Sequence, residues 1–433
     1  MFKLHNIKGY AWIVIALSSF LLIDKYVMNV SPSLIANDLM TSFSVNATQM
    51  SAMVSLFLWA VVFCQFLIAG PIMDKLGFRK VSFASLILSA VGLILFVVAA
   101  DMHSFALGCV ARLMIGVGAS FATVGYIKAA AVWFEPKKFA FVCSFLMTAA
   151  MLGAVAGQKP LAYLIEMTGS WHTALIGYAC FSIVIAFLYL ALVRDYNPHA
   201  TFILEDSKKT SALEGIKKVL VNKNNWLLTF YTGLTFTTID VFGGIWGNNY
   251  FRELYSLDVK QAAGLVSMMF WGLAIGSPVI GKLSEKFDNR VGIMAVFHII
   301  ATISIAIVLE FKLTPMLSGA LLFVFGFCLG VYMLAFAIGN RINPIVVAAT
   351  VAALINTGEP FLGAVFDPLI GFFLDLTWSG QYIDSANNIV SSATEGAHRY
   401  FSIGAYHNAF IVLVLSMIAA FFLLLLVKDK EVK

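Results

Sequence analysis

The chain alternates long apolar runs with short polar stretches, and the lengths of those runs predict its architecture. A helix that crosses a bilayer needs roughly 20 predominantly apolar residues. Runs of that kind cover 10–37, 49–72, 80–100, 104–131, 139–165 and 172–193. After a polar stretch they resume over 226–250, 261–283, 290–310, 314–340, 344–374 and 404–427. The pattern predicts an all-α membrane protein of twelve transmembrane helices, six on each side of a polar stretch. The expected division is 1–193 for the first bundle, 194–225 for a cytoplasmic linker and 226–433 for the second bundle. The first run is too long for the apolar region of a cleavable signal and no small-residue cleavage motif follows it, so it reads as a retained first span. Within the linker, Ser211-Ala-Leu-Glu214 fits a capping box and opens a short helix with Leu213, Ile216, Val219 and Leu220 on one side. Such a helix suits the membrane surface.

Basic residues give the orientation, because loops on the cytoplasmic side carry an excess of Lys and Arg. With twelve spans, both termini share one side. Of the 28 Lys and Arg residues, 20 fall on that side, only Arg252, Lys260, Lys312 and Arg399 fall on the other, and Lys25, Arg112, Lys128 and Lys159 lie within spans. Both termini are therefore expected in the cytoplasm, and an odd number of spans would scramble the separation. The expected location is a bacterial inner membrane.

Composition narrows the function classes. Of 433 residues, 61% are hydrophobic and 12% charged, where a soluble chain carries about 25% charged residues. The net charge of +5 is small and its bases are dispersed, which excludes a nucleic-acid partner. Cys64, Cys109, Cys143, Cys180 and Cys328 each sit in an apolar run and form no CxxC, so they read as small packing residues. No metal-ligand spacing and no cofactor motif appears, nor HExxH, GxSxG or a Walker pattern, so no enzyme chemistry is expected.

An internal repeat adds to the picture. The loop after the second run reads Gly70-Pro-Ile-Met-Asp74-Lys75-Leu-Gly77-Phe-Arg79-Lys80, and the loop after the eighth reads Gly281-Lys-Leu-Ser-Glu285-Lys286-Phe-Asp288-Asn-Arg290. Both carry Gly-x-x-x-acid-Lys and end in a base, at matching places in the two halves. These loops, together with Arg112-Leu-Met-Ile-Gly116-Val-Gly118 in the fourth run and Asp24-Lys25 with Ser31-Pro32 in the first, resemble the major facilitator superfamily over essentially the whole chain. The resemblance implies two pseudo-symmetric bundles, alternating access and a central cavity lined by spans one, four, seven and ten. It also implies that Gly70, Asp74, Gly77, Arg79, Lys80, Glu285 and Arg290 form a latch on the cytoplasmic side, engaged while the protein faces outward. Asp74 could accept from helix-end amides or pair with Arg79. The family's drug-efflux motif is incomplete in span five, which reads Gly153-Ala-Val-Ala-Gly157-Gln158-Lys159-Pro160. That departure favours uptake over drug/proton antiport.

Charges inside spans are the candidate chemistry, because each costs at least about 2.5–3.5 kcal/mol on the insertion scale and needs a reason to be there. The first half supplies cations. Lys25 is too deep to reach the cytoplasmic surface and is a candidate contact for an anionic substrate group. Arg112 either lines the cavity or ties span four to span one. Lys128 can snorkel to the cytoplasmic surface, and Lys159, beside Pro160, either contacts substrate or snorkels. The second half supplies acids: Asp240 in span seven, Glu359 between Gly358 and Pro360 in span eleven, and Asp367 two turns later. A carboxylate in an apolar site can take up and release protons near neutral pH, which coupling to a proton gradient requires. The alternative is an internal salt bridge to a first-half base. Trp246 and Asn248, in the Gly-rich end of span seven, either shape the cavity or mark the interface. His298 and His407 read as packing residues.

Together these residues predict a secondary transporter that imports a small carboxylate-bearing nutrient, such as an amino acid, short peptide or organic acid, as a proton symporter. Lys25, Arg112, Lys159, Asp240, Trp246 and Asn248 are the expected substrate contacts, and Glu359, Asp367 and Asp240 the expected proton carriers. The expected partners are solute, protons and lipid bilayer, with a monomer as the working unit. A facilitative uniporter, an exporter and a membrane sensor on the same fold remain open alternatives.

Overall fold

The computed structural model describes residues 9–196, 212–284, 286, 289–344, 347–384, 388–392 and 397–429. Nearly all of them are helical. Nine helices among the described residues are long and apolar enough to cross a membrane. They are helix 1 (Tyr10–Leu34), helix 2 (Ala47–Cys64), helix 3 (Phe78–Asp101), helix 4 (Phe105–Trp133), helix 6 (Trp171–Leu192), helix 8 (Val259–Ser284), helix 9 (Arg290–Glu310), helix 10 (Pro315–Arg341) and helix 12 (Ile403–Leu425). Three further rods are consistent with the twelve expected. Helix 5 runs over Pro136–Ala156 and Lys159–Thr168 with a break between. Helix 7 runs over Lys223–Thr238, Ile239–Trp246 and Gly247–Tyr255, and helix 11 over Ala348–Leu376. These three carry the break, the Thr-rich stretch and the buried acids, so they depart most from plain apolar helix.

Packing repeats between the halves. Helices 1 and 5, 2 and 4, and 3 and 6 pair in the first bundle, as do 7 and 11, 8 and 10, and 9 and 12 in the second. Each pair maps onto the other by adding six, which is what a duplicated bundle requires. Helix 2 against 11 and helix 5 against 8 form the seam between bundles. With lipid as apolar as Leu, such packing depends on close approach at small residues. A Cβ on Gly326 of helix 10 would stand 1.9 Å from the Met269 carbonyl of helix 8, and one on Gly358 would stand 2.1 Å from that of Thr229.

Two local results differ from expectation. The loop Thr377–Ser402 between helices 11 and 12 holds a three-stranded antiparallel sheet, with Tyr382–Ile383 between Ile389–Val390 and His398–Arg399. Two-residue strands leave no readable alternation in a sequence. In the latch loop, Asp74 does not pair with Arg79. Asp74 forms an ion pair with Lys128 of helix 4, while the Arg79 guanidinium donates to the Leu190 carbonyl of helix 6. Gly77 has φ +82, and a Cβ there would press on the Asp195 carboxylate at 2.8 Å. That carboxylate accepts from the Arg79 backbone amide at 2.7 Å, capping the start of helix 3. Arg79 is therefore occupied by its own bundle. Gly70 opens the helical segment Gly70–Leu76, Lys80 lies in the first turn of helix 3, Arg290 opens helix 9, and Glu285 falls outside the described residues. The linker helix covers Ala212–Val221, while its expected capping residue Ser211 also falls outside them.

Candidate functional site

Helices 1, 2, 7, 10 and 11 lose regular α geometry, or carry a buried charge, at the level where the two bundles meet. Helix 2 passes into a π-helical turn at Gln65–Ala69 and helix 7 into one at Ile239–Trp246. Helix 10 tightens to 3-10 geometry at Gly330–Met333, and helix 11 carries Pro360 and Pro368 in its interior. Such irregular turns occur where backbone is held by protein and serves a site.

Lys25, Gln65, Asp240, Tyr332 and Glu359 sit on those irregular segments or face them. Lys25 is 8% exposed. Its ammonium donates to Gln65 Oε1 at 3.4 Å and lies 5.5 Å from the Tyr26 ring centroid. Among the described residues no ion pair holds it, although it lies in the electrostatic field of Glu359 and Asp240. Its sequence neighbour Asp24 points elsewhere and accepts from Ser182 of helix 6 at 2.7 Å. Adjacent helix positions face different directions, so Asp24 cannot neutralise Lys25.

The acids meet helix 1 across the seam. Tyr26 donates its hydroxyl proton to Glu359 Oε1 at 3.0 Å, and Asn29 donates from Nδ2 to Asp240 Oδ1 at 3.2 Å. Glu359 is half-buried, whereas Asp240 and Asp367 are buried. Asp240 Oδ2 and Asp367 Oδ1 have no hydrogen-bond partner among the described residues. Gly363 faces Asp240 Oδ2, and a Cβ there would stand 3.0 Å from it. Asp367 follows Glu359 by about two turns on helix 11. Tyr332, buried on helix 10, stands in the field of Glu359 and Asp240.

The remaining expected site residues lie apart from this cluster. Arg112 is engaged by carbonyls, donating to Met28 at 3.1 Å and to Val54 at 3.1 Å, with the Phe57 ring 5.2 Å away. It joins helix 4 to helices 1 and 2. Asn248 donates to Ser33 Oγ and to Gln158 Oε1, both at 2.9 Å. Gln158 donates in turn to Ser33 and to the Gly243 carbonyl, both at 3.0 Å. This network seals the seam on the side away from the termini. Trp246 is fully buried beside it, edge-on to Phe401. Lys159 is exposed on the outside of helix 5 and does not reach the cluster.

Tyr26, Asn29, Gln65 and Gln158 were not singled out from the sequence. Asn29 follows Lys25 by one helical turn, which puts the two on one face. Gln158 stands between Gly157 and Lys159-Pro160, where helix 5 breaks, and a polar residue at a proline break was the available signal.

The arrangement places one unpaired ammonium on the first bundle against carboxylates on the second, midway along their helices. Comparison with known proteins agrees with the architecture. The family model of the Major Facilitator Superfamily matches residues 14–366. An uncharacterized protein of Campylobacter jejuni, Cj0987c, is 26% identical over 68% of this chain and 82% of its own length. The uncharacterized transporter YybO of Bacillus subtilis is 21% identical over 85% of this chain and 88% of its own. The crystal structure of a bacterial homolog to the human lysosomal transporter Spinster, inward-facing and unoccupied, superposes with a TM-score of 0.66 at 13% identity, covering 98% of this chain and 96% of that one.

Proposed function

The chain belongs to the Major Facilitator Superfamily, and on that premise we propose that it is a proton-coupled importer of a small carboxylate-bearing nutrient: an amino acid, a short peptide or an organic acid. The observation that carries this reading is the pair of hydrogen bonds Tyr26–Glu359 and Asn29–Asp240 beside the unpaired Lys25. Both bonds cross between bundles and both end on a carboxylate. A hydrogen bond to an ionised carboxylate is roughly twice as strong as a neutral one. Protonation of Glu359 weakens its hold on Tyr26, so proton uptake loosens one bundle from the other. A solute carboxylate docks on Lys25, and a solute ammonium, where present, takes the place of the proton's charge beside Asp240. Proton and solute thus act on the same inter-bundle contacts, which is the coupling a symporter needs. The excess of basic residues at the terminus-bearing end supports a cytoplasmic placement of both termini. Alternating access follows, with the seam parting first at one end and then at the other.

Uptake of radiolabelled amino acids, short peptides and organic acids into proteoliposomes with an imposed pH gradient tests the reading. At least one compound accumulates when the lumen is alkaline. Glu359→Gln abolishes gradient-driven accumulation while counterflow persists, and Lys25→Gln lowers the affinity for the anionic solute by about tenfold or more. Full gradient-driven uptake by Glu359→Gln would refute the coupling role.

A further inference from the structure

The break in helix 5 turns two neighbouring residues to opposite sides. Gln158 is fully buried in the seam network, whereas Lys159 is exposed. Lys159 opens a segment of 10 residues that ends at Thr168, which sets it roughly 14 Å below that helix end at 1.5 Å per residue. The side chain, however, runs back to Gly264, five residues in from Val259 at the start of helix 8, so the ammonium sits roughly 8 Å below that helix end, within reach of the headgroup level. Among the described residues no hydrogen bond or ion pair engages the Lys159 ammonium, and its side chain runs beside Gly264 of helix 8. One turn back on helix 8, Lys260 is already taken, paired with Glu166 at 2.7 Å and 5.0 Å from the Tyr163 ring centroid.

Lys159 heads a trough between the bundles. A cavity of about 790 Å³ is lined by Lys159, Tyr163, Leu265, Met268, Trp271 and Pro315. A second cavity of about 520 Å³ shares Leu265, Met268 and Pro315 and continues over Gly319, Ala320 and Phe323 of helix 10. Around it Trp271, Met316, Leu317 and Val324 are exposed, as side chains facing acyl chains are. The trough is therefore mainly apolar, with Gln261 and Ser267 in its wall and Lys159 as its one cation, and it opens sideways to the membrane at the contact of helix 5 with helix 8.

We propose that this trough is a binding site for one anionic phospholipid, whose headgroup phosphate pairs with Lys159 and whose acyl chain lies along helices 8 and 10. Among the described residues the protein gives this ammonium no partner, and a phosphodiester at the headgroup level supplies one. The small residues Gly264, Gly319 and Ala320 leave the room a chain needs. Because the site straddles the seam, a bound lipid holds helix 5 to helix 8 and favours the conformation seen here.

Native mass spectrometry of the detergent-solubilised full chain, titrated with phosphatidylglycerol and with phosphatidylcholine, tests the site. The wild type retains phosphatidylglycerol more tightly. Lys159→Gln weakens phosphatidylglycerol about tenfold and removes the preference, while Lys159→Arg keeps it. Gly264→Leu, which fills the trough without changing charge, weakens both lipids, and Lys312→Gln, an exposed lysine elsewhere in the same leaflet, changes neither. Glycerol 3-phosphate at millimolar concentration does not displace the lipid. Equal retention of the two lipids by the wild type overturns the proposal. So does unchanged phosphatidylglycerol binding in Lys159→Gln, or displacement by glycerol 3-phosphate.

Discussion

At the end of the molecule away from the termini, polar groups reach from one bundle to the other. Ser33 and Gln158 meet Asn248, Asn37 meets Asn249, Glu166 meets Lys260, and Asp375 of helix 11 accepts from the backbone amides of Ala47 and Thr48 at the start of helix 2. At the terminus-bearing end, similar groups among the described residues stay within their own bundle. Asp74 pairs with Lys128, Arg79 with Leu190, Asn225 with Asn343, and Arg341 with Asp429. The same two bundles are thus fastened at one end of the seam and self-satisfied at the other. The latch loop, whose resemblance predicts an inter-bundle role, is among the self-satisfied groups. On the proposed reading, this asymmetry corresponds to a seam closed at one end.

Changes at the fastened end sharpen that comparison, and hydrogen exchange over 31–38 and 243–249 reads it. The largest effect is expected from Asp375→Ala. Asp375 caps helix 2 through two amides and the Thr48 hydroxyl and pairs with Arg399 at 2.7 Å. Losing a cap and a partly buried ion pair together costs about 2 kcal/mol, so opening at this end rises roughly 30-fold. Unchanged exchange would mean that the clasp does not close the seam. Gln158→Ala removes three hydrogen bonds of the buried network and is expected to raise exchange there about tenfold.

A smaller, pH-dependent effect belongs to the three-stranded loop that covers this end. Burial, and then the nearby Arg252, push His398 down to about 4 from its usual value. The folded loop therefore keeps His398 neutral where the unfolded loop would protonate it. The contribution to stability is fully present above about pH 6.5 and is lost progressively as pH falls towards 4. Exchange over 382–399, corrected for its intrinsic pH dependence, should rise several-fold across that window in the wild type and stay flat in His398→Gln. The smallest effect is expected at the other end. Lys128→Gln breaks an exposed ion pair within one bundle and should change exchange at the fastened end less than about twofold.

Much of this was legible in the sequence, for a definite reason. Span length is set by bilayer thickness, so apolar runs announce helices, and the paired acid-Lys loops announce the duplication. The cost of charge in hydrocarbon likewise marked Lys25, Asp240 and Glu359, which bond to Gln65, Asn29 and Tyr26 in turn. It could not distinguish Lys25 from Lys159, because the runs around both are apolar and rotation about the helix axis leaves no polar face to read. Gln158 escaped notice because the full break in helix 5 is visible only in the backbone. The partners of Glu359 and Asp375 lie 333 and about as many residues away, and such bonds depend on how the bundles are docked.

The claim that protonation and bundle opening are one event is tested most directly by pulsed electron–electron resonance in proteoliposomes. One spin-label pair would span the seam at the terminus-bearing end and another at the fastened end, each measured at pH 5.5 and 8. The account predicts that the pH step moves the two distances in opposite directions, and that Glu359→Gln removes the response. Distances that move together, or a full pH response in Glu359→Gln, would contradict it.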